Sequence, residues 1–190
     1  MNTYDFDKTI FNPDSSYKFF LFSLRRHPLA VLRTLPKTAC FGIAYAIGRI
    51  DTKILKQQVF SFLRHLRDVD GDVEAFWQEN FGRIESWYLK QKQPDDVIIS
   101  ASPEFLLRPA CDRLGVSLLG TAMDRHSGLI MGLNCHDSEK VRRFYEKYPG
   151  AHTENFYSDS LSDTPMALIA DKAWLVNLQD IRPWPDKEDK

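Results

Sequence analysis

Along the first half of the chain, apolar residues recur at helical spacing; along the second half they fall into short runs separated by turns. A short strand is predicted within the first ten residues. Asn12-Pro13-Asp14 then marks a turn, from which Asp14 or Ser15 can cap a helix. Four helical segments follow, at 16–27, 28–48, 52–69 and 72–91. Pro28 suits a helix start, whereas Pro36 should kink or break the helix around it. Ile54, Leu55, Val59, Phe62, Leu63 and Leu66 form the stripe of the third segment. Val73, Phe76, Trp77, Phe81, Ile84, Trp87 and Tyr88 form that of the fourth, and such aromatic stripes are read as packing surfaces.

From about residue 94 the rhythm changes. A buried strand at 96–100, a helix at 103–114 closed by Gly115 and a strand at 116–122 are predicted. A hairpin around Ser127-Gly128 should span 124–133, and a helix at 136–148 should stop at Pro149-Gly150. A strand ending at Ser158, a helix at 165–171 and a last strand at 173–177 complete the series, with a loose tail at 183–190. Alternating strands and helices imply an α/β fold with a parallel sheet. The core then consists of 1–13 and 94–182, with the helical block 14–93 inserted after the first strand. In such sheets ligands bind beyond the carboxyl ends of the strands, so the residues at those ends matter most.

Length and composition (190 residues, 43% hydrophobic, 27% charged) suit one soluble globular domain that needs no disulfide framework. Cys40, Cys111 and Cys135 form no C-x-x-C pair and are read as free thiols. The start M-N-T-Y-D-F-D has acids where a secretory leader needs bases, and no uncharged apolar stretch is long enough to span a bilayer. A cytoplasmic protein is expected. The net charge of −1 excludes a whole-chain positive excess, but it is a sum of opposites. Residues 18–67 hold ten basic residues against Asp51 alone, while the remainder holds 15 basic against 25 acidic.

Strand one ends in Asp5-Phe6-Asp7-Lys8-Thr9. Alternation along a strand lets Asp5 and Asp7 face the same way. Two adjacent carboxylates are best tolerated beside a cation, and Mg²⁺ takes one or two carboxylates together with phosphate oxygens. Strand two ends in Ser100-Ala101-Ser102 at a helix start, where a hydroxyl can meet an oxyanion. Lys140 opens a later helix, and Asp159 and Asp163 follow the strand that ends at Ser158. Singly, each has a bland reading as a surface acid, an N-cap or a solvated lysine.

Together, and in this order, these residues resemble the haloacid dehalogenase-like (HAD) phosphatases, subclass I, the group that includes phosphoserine phosphatase. The D-x-D-x-T motif is matched by Asp5, Asp7 and Thr9; the motif-two serine by Ser100. The basic residue is Lys140, within G-x-N-x-x-x-x-E-K from Gly132, and the acidic pair is Asp159 and Asp163. The resemblance implies a Rossmann-like core with a helical cap and an aspartyl-phosphate mechanism. Asp5 would be the nucleophile and Asp7 the general acid and base. Mg²⁺ would be held by Asp5, the Asp7 backbone carbonyl and Asp159, with Asp163 in support. Ser100 and Lys140 would bind the phosphoryl oxygens. Ser102 is a weaker candidate nucleophile, because the sequence shows no base beside it. The family's usual Gly-Gly after the motif-two serine is replaced by Ala101-Ser102.

The substrate implied is a small phosphorylated metabolite, phosphoserine-like, or a lipid phosphate. The stretch from Arg25 through Gly48 resembles the cap of HAD-type phosphatidylglycerophosphate phosphatases. With its excess of basic residues, the cap also suits contact with an anionic membrane surface, making the protein peripheral to it. The alternative is a catalytically weak HAD-fold protein whose basic cap binds an anionic membrane or nucleic acid. Nucleic acid is the least favoured partner, since every residue the chemistry requires is present.

Overall fold

The shortest of the long-range strands is the central one. In the computed structural model, which describes residues 1–177 and 180–185, β1 (Thr3–Tyr4) lies between β2 (Val97–Pro103) and β4 (Thr153–Ser158), parallel to both. β3 (Ser117–Thr121) pairs parallel with β2, and β5 (Ala170–Asn177) parallel with β4. β6 (Asp180–Pro183) closes the edge antiparallel to β5, giving the order β3-β2-β1-β4-β5-β6. This is the expected α/β, Rossmann-like sheet, with one antiparallel edge strand added. Both faces of the sheet are buried. Alternation along β2 sends Ile98 into one apolar cluster and Val97 and Ile99 into the other.

On the second face lie α7 (Ser138–Lys147) and α8 (Thr164–Ala167), with Phe144, Phe156 and Met166 fully buried. The first face receives α6 (Glu104–Leu114), closed by Gly115 at φ 69°, and the helical block. There α1 (Ser15–Arg26) begins at Asp14, whose carboxylate accepts from the Tyr17 amide at 2.8 Å. α2 (Pro28–Ala46), α3 (Thr52–Val59), α4 (Val69–Asn80) and α5 (Ser86–Gln91) follow. The aromatic stripe packs inward as expected. Phe76 and Trp77 meet Phe19, Phe22, Phe6 and Phe11 edge to face, and the Trp77 indole donates to the Leu106 carbonyl at 2.6 Å.

Several boundaries differ from the sequence expectation, each for a local reason. α2 runs through Pro36 unbroken; Pro36 is exposed, so water can replace the amide bond it removes. The segment 52–69 is not one helix. Phe60, Ser61, Phe62 and Leu63 are all buried, which no single α-helical face allows, and the chain tightens into a 3₁₀ turn at Phe60–His65. The segment 72–91 breaks where Ile84 bridges to Phe11 and the Glu85 amide donates to the Ile10 carbonyl at 2.8 Å. The expected helix at 165–171 is cut to one turn, because Ala170 and Lys172 pair with Thr153 and Asn155. The hairpin at 124–133 reduces to a single Met123–Ile130 bridge.

The expected loose tail is also corrected at its start. Pro183 ends β6, where an edge strand tolerates its missing amide, and Trp184 donates to the Ala173 carbonyl at 2.9 Å. Residues 186–190 lie outside the described residues. The three cysteines are free, Cys111 and Cys135 buried and Cys40 exposed. Among the described residues, no helix is long and apolar enough to cross a membrane.

Candidate functional site

At the carboxyl ends of β1, β2 and β4 the chain opens a pocket of about 320 Å³. Asp5, Asp7, Ser100, Lys140, Asp159 and Asp163 all line it. β1 delivers the first carboxylate directly, as the Asp5 amide donates to the Tyr157 carbonyl at 2.8 Å. The chain then turns sharply. Lys8 takes φ 58°, uncommon for a lysine, and its amide donates to the Phe11 carbonyl at 2.7 Å. That turn aims Asp7 towards the helical block, where its Oδ1 accepts from the Ser15 amide at 2.6 Å. Thr9 stands behind the pocket, and its hydroxyl accepts from the Asp159 amide at 2.9 Å, tying the β1 and β4 loops together.

Lys140 forms the floor. It is 2% exposed, and its Nζ donates to Asp5 Oδ1 at 2.6 Å and to Asp163 Oδ2 at 2.7 Å. Asp163 also accepts from the Ser158 hydroxyl at 2.7 Å. A buried ammonium between two carboxylates is well satisfied, but removing any member leaves a buried charge unpaired. Burial works against the Lys140 ammonium; the charges of Asp5 and Asp163 outweigh it and hold its pKa above the ordinary lysine range. Burial pushes Asp5 up to about 7, Lys140 pulling the other way and Asp163 adding to the rise. Burial and the charge of Asp14 push Asp7 up to about 6, against hydrogen bonds from Ser102 and Ser15. Burial also raises Asp159, with Lys8 opposing it. Three carboxylates raised by burial in one cleft mark a place built for a cation or for proton transfer.

Ser100 is buried and its hydroxyl accepts from the Ser102 amide at 3.1 Å. Ser102 corrects the sequence reading. A base does stand beside it: its hydroxyl donates to Asp7 Oδ2 at 2.5 Å and lies 3.0 Å from the Ser16 hydroxyl. Lys56 escaped the sequence reading as a site residue. From α3 its Nζ reaches the Ala101 carbonyl at 2.8 Å and Asn134 Oδ1 at 3.0 Å, and it lines the pocket. Burial lowers its pKa, with Asp7 and Asp14 opposing. In the sequence Lys56 is one of ten basic residues of its segment, and no local pattern marks it as the one that turns inward. Among the described residues, no group of three or more His, Cys, Asp or Glu forms a ready-made metal cage. The Asp159 carboxylate has no side-chain hydrogen-bond partner among them.

Known proteins agree with this architecture. The curated protein CicA of Caulobacter vibrioides is 31% identical over 187 aligned positions, covering 89% of this chain and 82% of that protein. A solved structure of a Bordetella pertussis protein of unknown function has a TM-score of 0.73 at 20% identity, covering 91% of this chain and 87% of the other. A phosphoserine phosphohydrolase-like protein from Francisella tularensis has a TM-score of 0.55 at 14% identity, covering 91% and 86%. At these identities the two structures share the fold. Residues 3–168 match the haloacid dehalogenase-like hydrolase family, and the chain belongs to that family.

Proposed function

We propose that the protein is a Mg²⁺-dependent phosphomonoesterase working through an aspartyl-phosphate on Asp5. The observation that carries this reading is the Lys140 ammonium held between Asp5 and Asp163 at the end of the central strand. Lys140 orients Asp5 through Oδ1, which leaves Oδ2 to attack phosphorus. As the P–O ester bond breaks, Asp7 gives its proton to the departing alkoxide. In the second step Asp7 takes a proton from water, and that water displaces phosphate from Asp5. A carboxyl pushed up to about 6 suits both duties near neutral pH. Ser100 and Lys140 bind the phosphoryl oxygens, whose charge dominates the transition state.

The residues present fit Mg²⁺. Asp159 is a desolvated carboxylate with no side-chain partner, the condition a cation relieves. Asp5, the Asp7 backbone carbonyl and Asp159 would hold the ion, completed by water and a phosphate oxygen, as this cation prefers. Once bound, it supplies charge neutralisation for the phosphoryl group. Residues 14–93 act as the cap over a core of 1–13 and 94–182. The substrate is a phosphorylated small metabolite or a lipid phosphate, and hydrolysis of p-nitrophenyl phosphate tests the reaction. Turnover should require Mg²⁺ and vanish in Asp5→Asn; undiminished turnover in that variant overturns the mechanism.

A second role for the cap has its own support. α2 buries only Ala30 and Val31, while Leu29, Leu32, Ile43 and Ile47 are exposed beside Arg33, Lys37 and Arg49. Exposed apolar residues among basic ones are what an anionic membrane surface binds. The cap is therefore read as a peripheral contact with such a surface. Co-sedimentation with anionic vesicles at low and high salt tests this, and absence of binding at low salt rejects it.

A further inference from the structure

Between α1, α2 and α3 the cap holds an open groove of about 480 Å³, lined by Phe20, Leu35, Ala39, Leu55 and Val59. Its size lies in the range that holds small ligands, and its walls are mostly apolar. The position of the groove is informative. Ser16 and Lys56 line both the groove and the catalytic pocket, so these two side chains are the wall between them. From the catalytic side, the Ser16 hydroxyl is 3.0 Å from the Ser102 hydroxyl, which in turn donates to Asp7 at 2.5 Å. Lys56 is held at that boundary by the Ala101 carbonyl, next to Ser100. A molecule spanning both spaces would place its ester oxygen near Asp7 and whatever follows that oxygen among Phe20, Leu35 and Leu55.

We infer that this groove is the binding subsite for an unbranched hydrocarbon chain carried by the substrate, and that the enzyme acts on amphiphilic phosphomonoesters. The inference rests on the phosphomonoesterase reading and deepens it. The cationic wall and the surrounding basic segment 18–67 favour an anionic headgroup over a neutral apolar ligand. The phosphate then meets Lys140 and Ser100, while the chain leaves water along the groove. Each methylene fully buried there raises affinity by about fourfold, so the chain should dominate selectivity.

Butyl and octyl phosphate, both kept below micelle-forming concentration, are compared as substrates with Mg²⁺ present. The wild type should favour octyl phosphate by at least about tenfold in kcat/KM, the methylenes being only partly buried in an open groove. Ala39→Phe fills the groove and Leu35→Glu puts a charge in it. Both positions are exposed on α2, so the fold tolerates the changes. Each variant should lose most of the octyl preference, its kcat/KM for octyl phosphate falling further than that for butyl phosphate. Equal kcat/KM for the two esters in the wild type overturns the groove and leaves the phosphomonoesterase reading standing. An octyl preference that survives in both variants also overturns it. Failure to hydrolyse either ester overturns the phosphomonoesterase reading, and the substrate class falls with it. Calorimetry on the Asp5→Asn protein separates chain binding from chemistry: octyl phosphate should bind more tightly than butyl phosphate by a similar factor, and equal affinities reject the subsite.

Discussion

The Ser102 hydroxyl donates to Asp7 Oδ2 at 2.5 Å, tying the end of β2 to the loop after β1. This hydrogen bond lowers the pKa of Asp7 against the larger rise that burial causes. In Ser102→Ala the opposing influence is gone, and Asp7 stays protonated to higher pH. With Asp7 as the acid of the first step, the basic limb of the pH–rate profile should move upward. Turnover of p-nitrophenyl phosphate should fall by about tenfold, less than loss of the positioned acid itself would cause, because Asp7 remains in place. The same variant separates the two candidate nucleophiles. Loss of all turnover in Ser102→Ala, with activity retained in Asp5→Asn, would transfer the nucleophile's role to Ser102.

Lys140 is the only cation among the described residues that bonds both Asp5 and Asp163. Lys140→Met keeps the bulk of the side chain and strands two buried carboxylates. Breaking a buried ion pair from one side costs about 3–5 kcal/mol. The cost has a definite pH dependence. Without the ammonium, the rise that burial causes at Asp5 loses its main opposition, and this carboxyl is easier to protonate when folded than when unfolded, so acidification should restore stability to the variant relative to the wild type. Urea midpoints at pH 8 and pH 5.5 check this; a deficit that is the same at both values rejects it. Adding Asp163→Asn to Lys140→Met should recover part of the loss at pH 8.

The strand ends were legible because they are local. A few apolar residues bounded by turn formers place Asp5, Ser100 and Asp159 at the mouths of strands without knowledge of their neighbours. Lys140 followed from the ordered motifs, since its place at a helix start reads by itself as a solvated lysine. What escaped depends on packing at long range. Lys56 turns inward because it reaches from α3 to the Ala101 carbonyl near the end of β2, and Ser102 meets Asp7 because β1 and β2 are neighbours in the sheet. The 3₁₀ turn at Phe60–His65 arises from four consecutive buried residues, although its apolar spacing suits a helix. β6 was missed because Asp180-Ile181-Arg182-Pro183 has almost no apolar alternation, and pairing with β5 alone makes it a strand.

Two glycines with similar backbone geometry should respond very differently to alanine. Gly115 and Gly128 have φ of 69° and 73°, so each substitution carries the penalty of the left-handed region, about 1 kcal/mol. At Gly115 an added Cβ meets nothing within 4 Å. At Gly128 it would lie 2.5 Å from the Phe60 carbonyl oxygen, backbone that cannot swing aside. Gly128→Ala should therefore cost about 2 kcal/mol or more beyond Gly115→Ala, in the range of other large steric penalties. Chemical denaturation of both variants provides the comparison, and equal costs would show that the loop after β3 does not bear on the 3₁₀ turn.

Removing Mg²⁺ should act on stability as well as on turnover, with a predictable dependence on pH. Burial raises Asp5 to about 7, Asp7 to about 6, and Asp159 above its ordinary value. Each is a carboxyl whose folded pKa exceeds its unfolded one. As pH rises from about 4 towards 7, the unfolded chain gives up these protons first, so the three groups draw stability away from the metal-free protein. A bound cation reverses the effect, because it favours the ionised carboxylates that protons would otherwise neutralise. The rise in melting temperature on adding Mg²⁺ should accordingly be larger at pH 8 than at pH 5, where protons compete for the same oxygens. Chelation at pH 8 should abolish turnover, and readdition of Mg²⁺ should restore it. Asp159→Asn should raise the Mg²⁺ concentration needed for half-maximal activity by about tenfold or more, in line with the loss of one carboxylate from a cation site. A stabilisation equal at both pH values, or an Asp159→Asn enzyme with unchanged Mg²⁺ demand, would place the cation elsewhere.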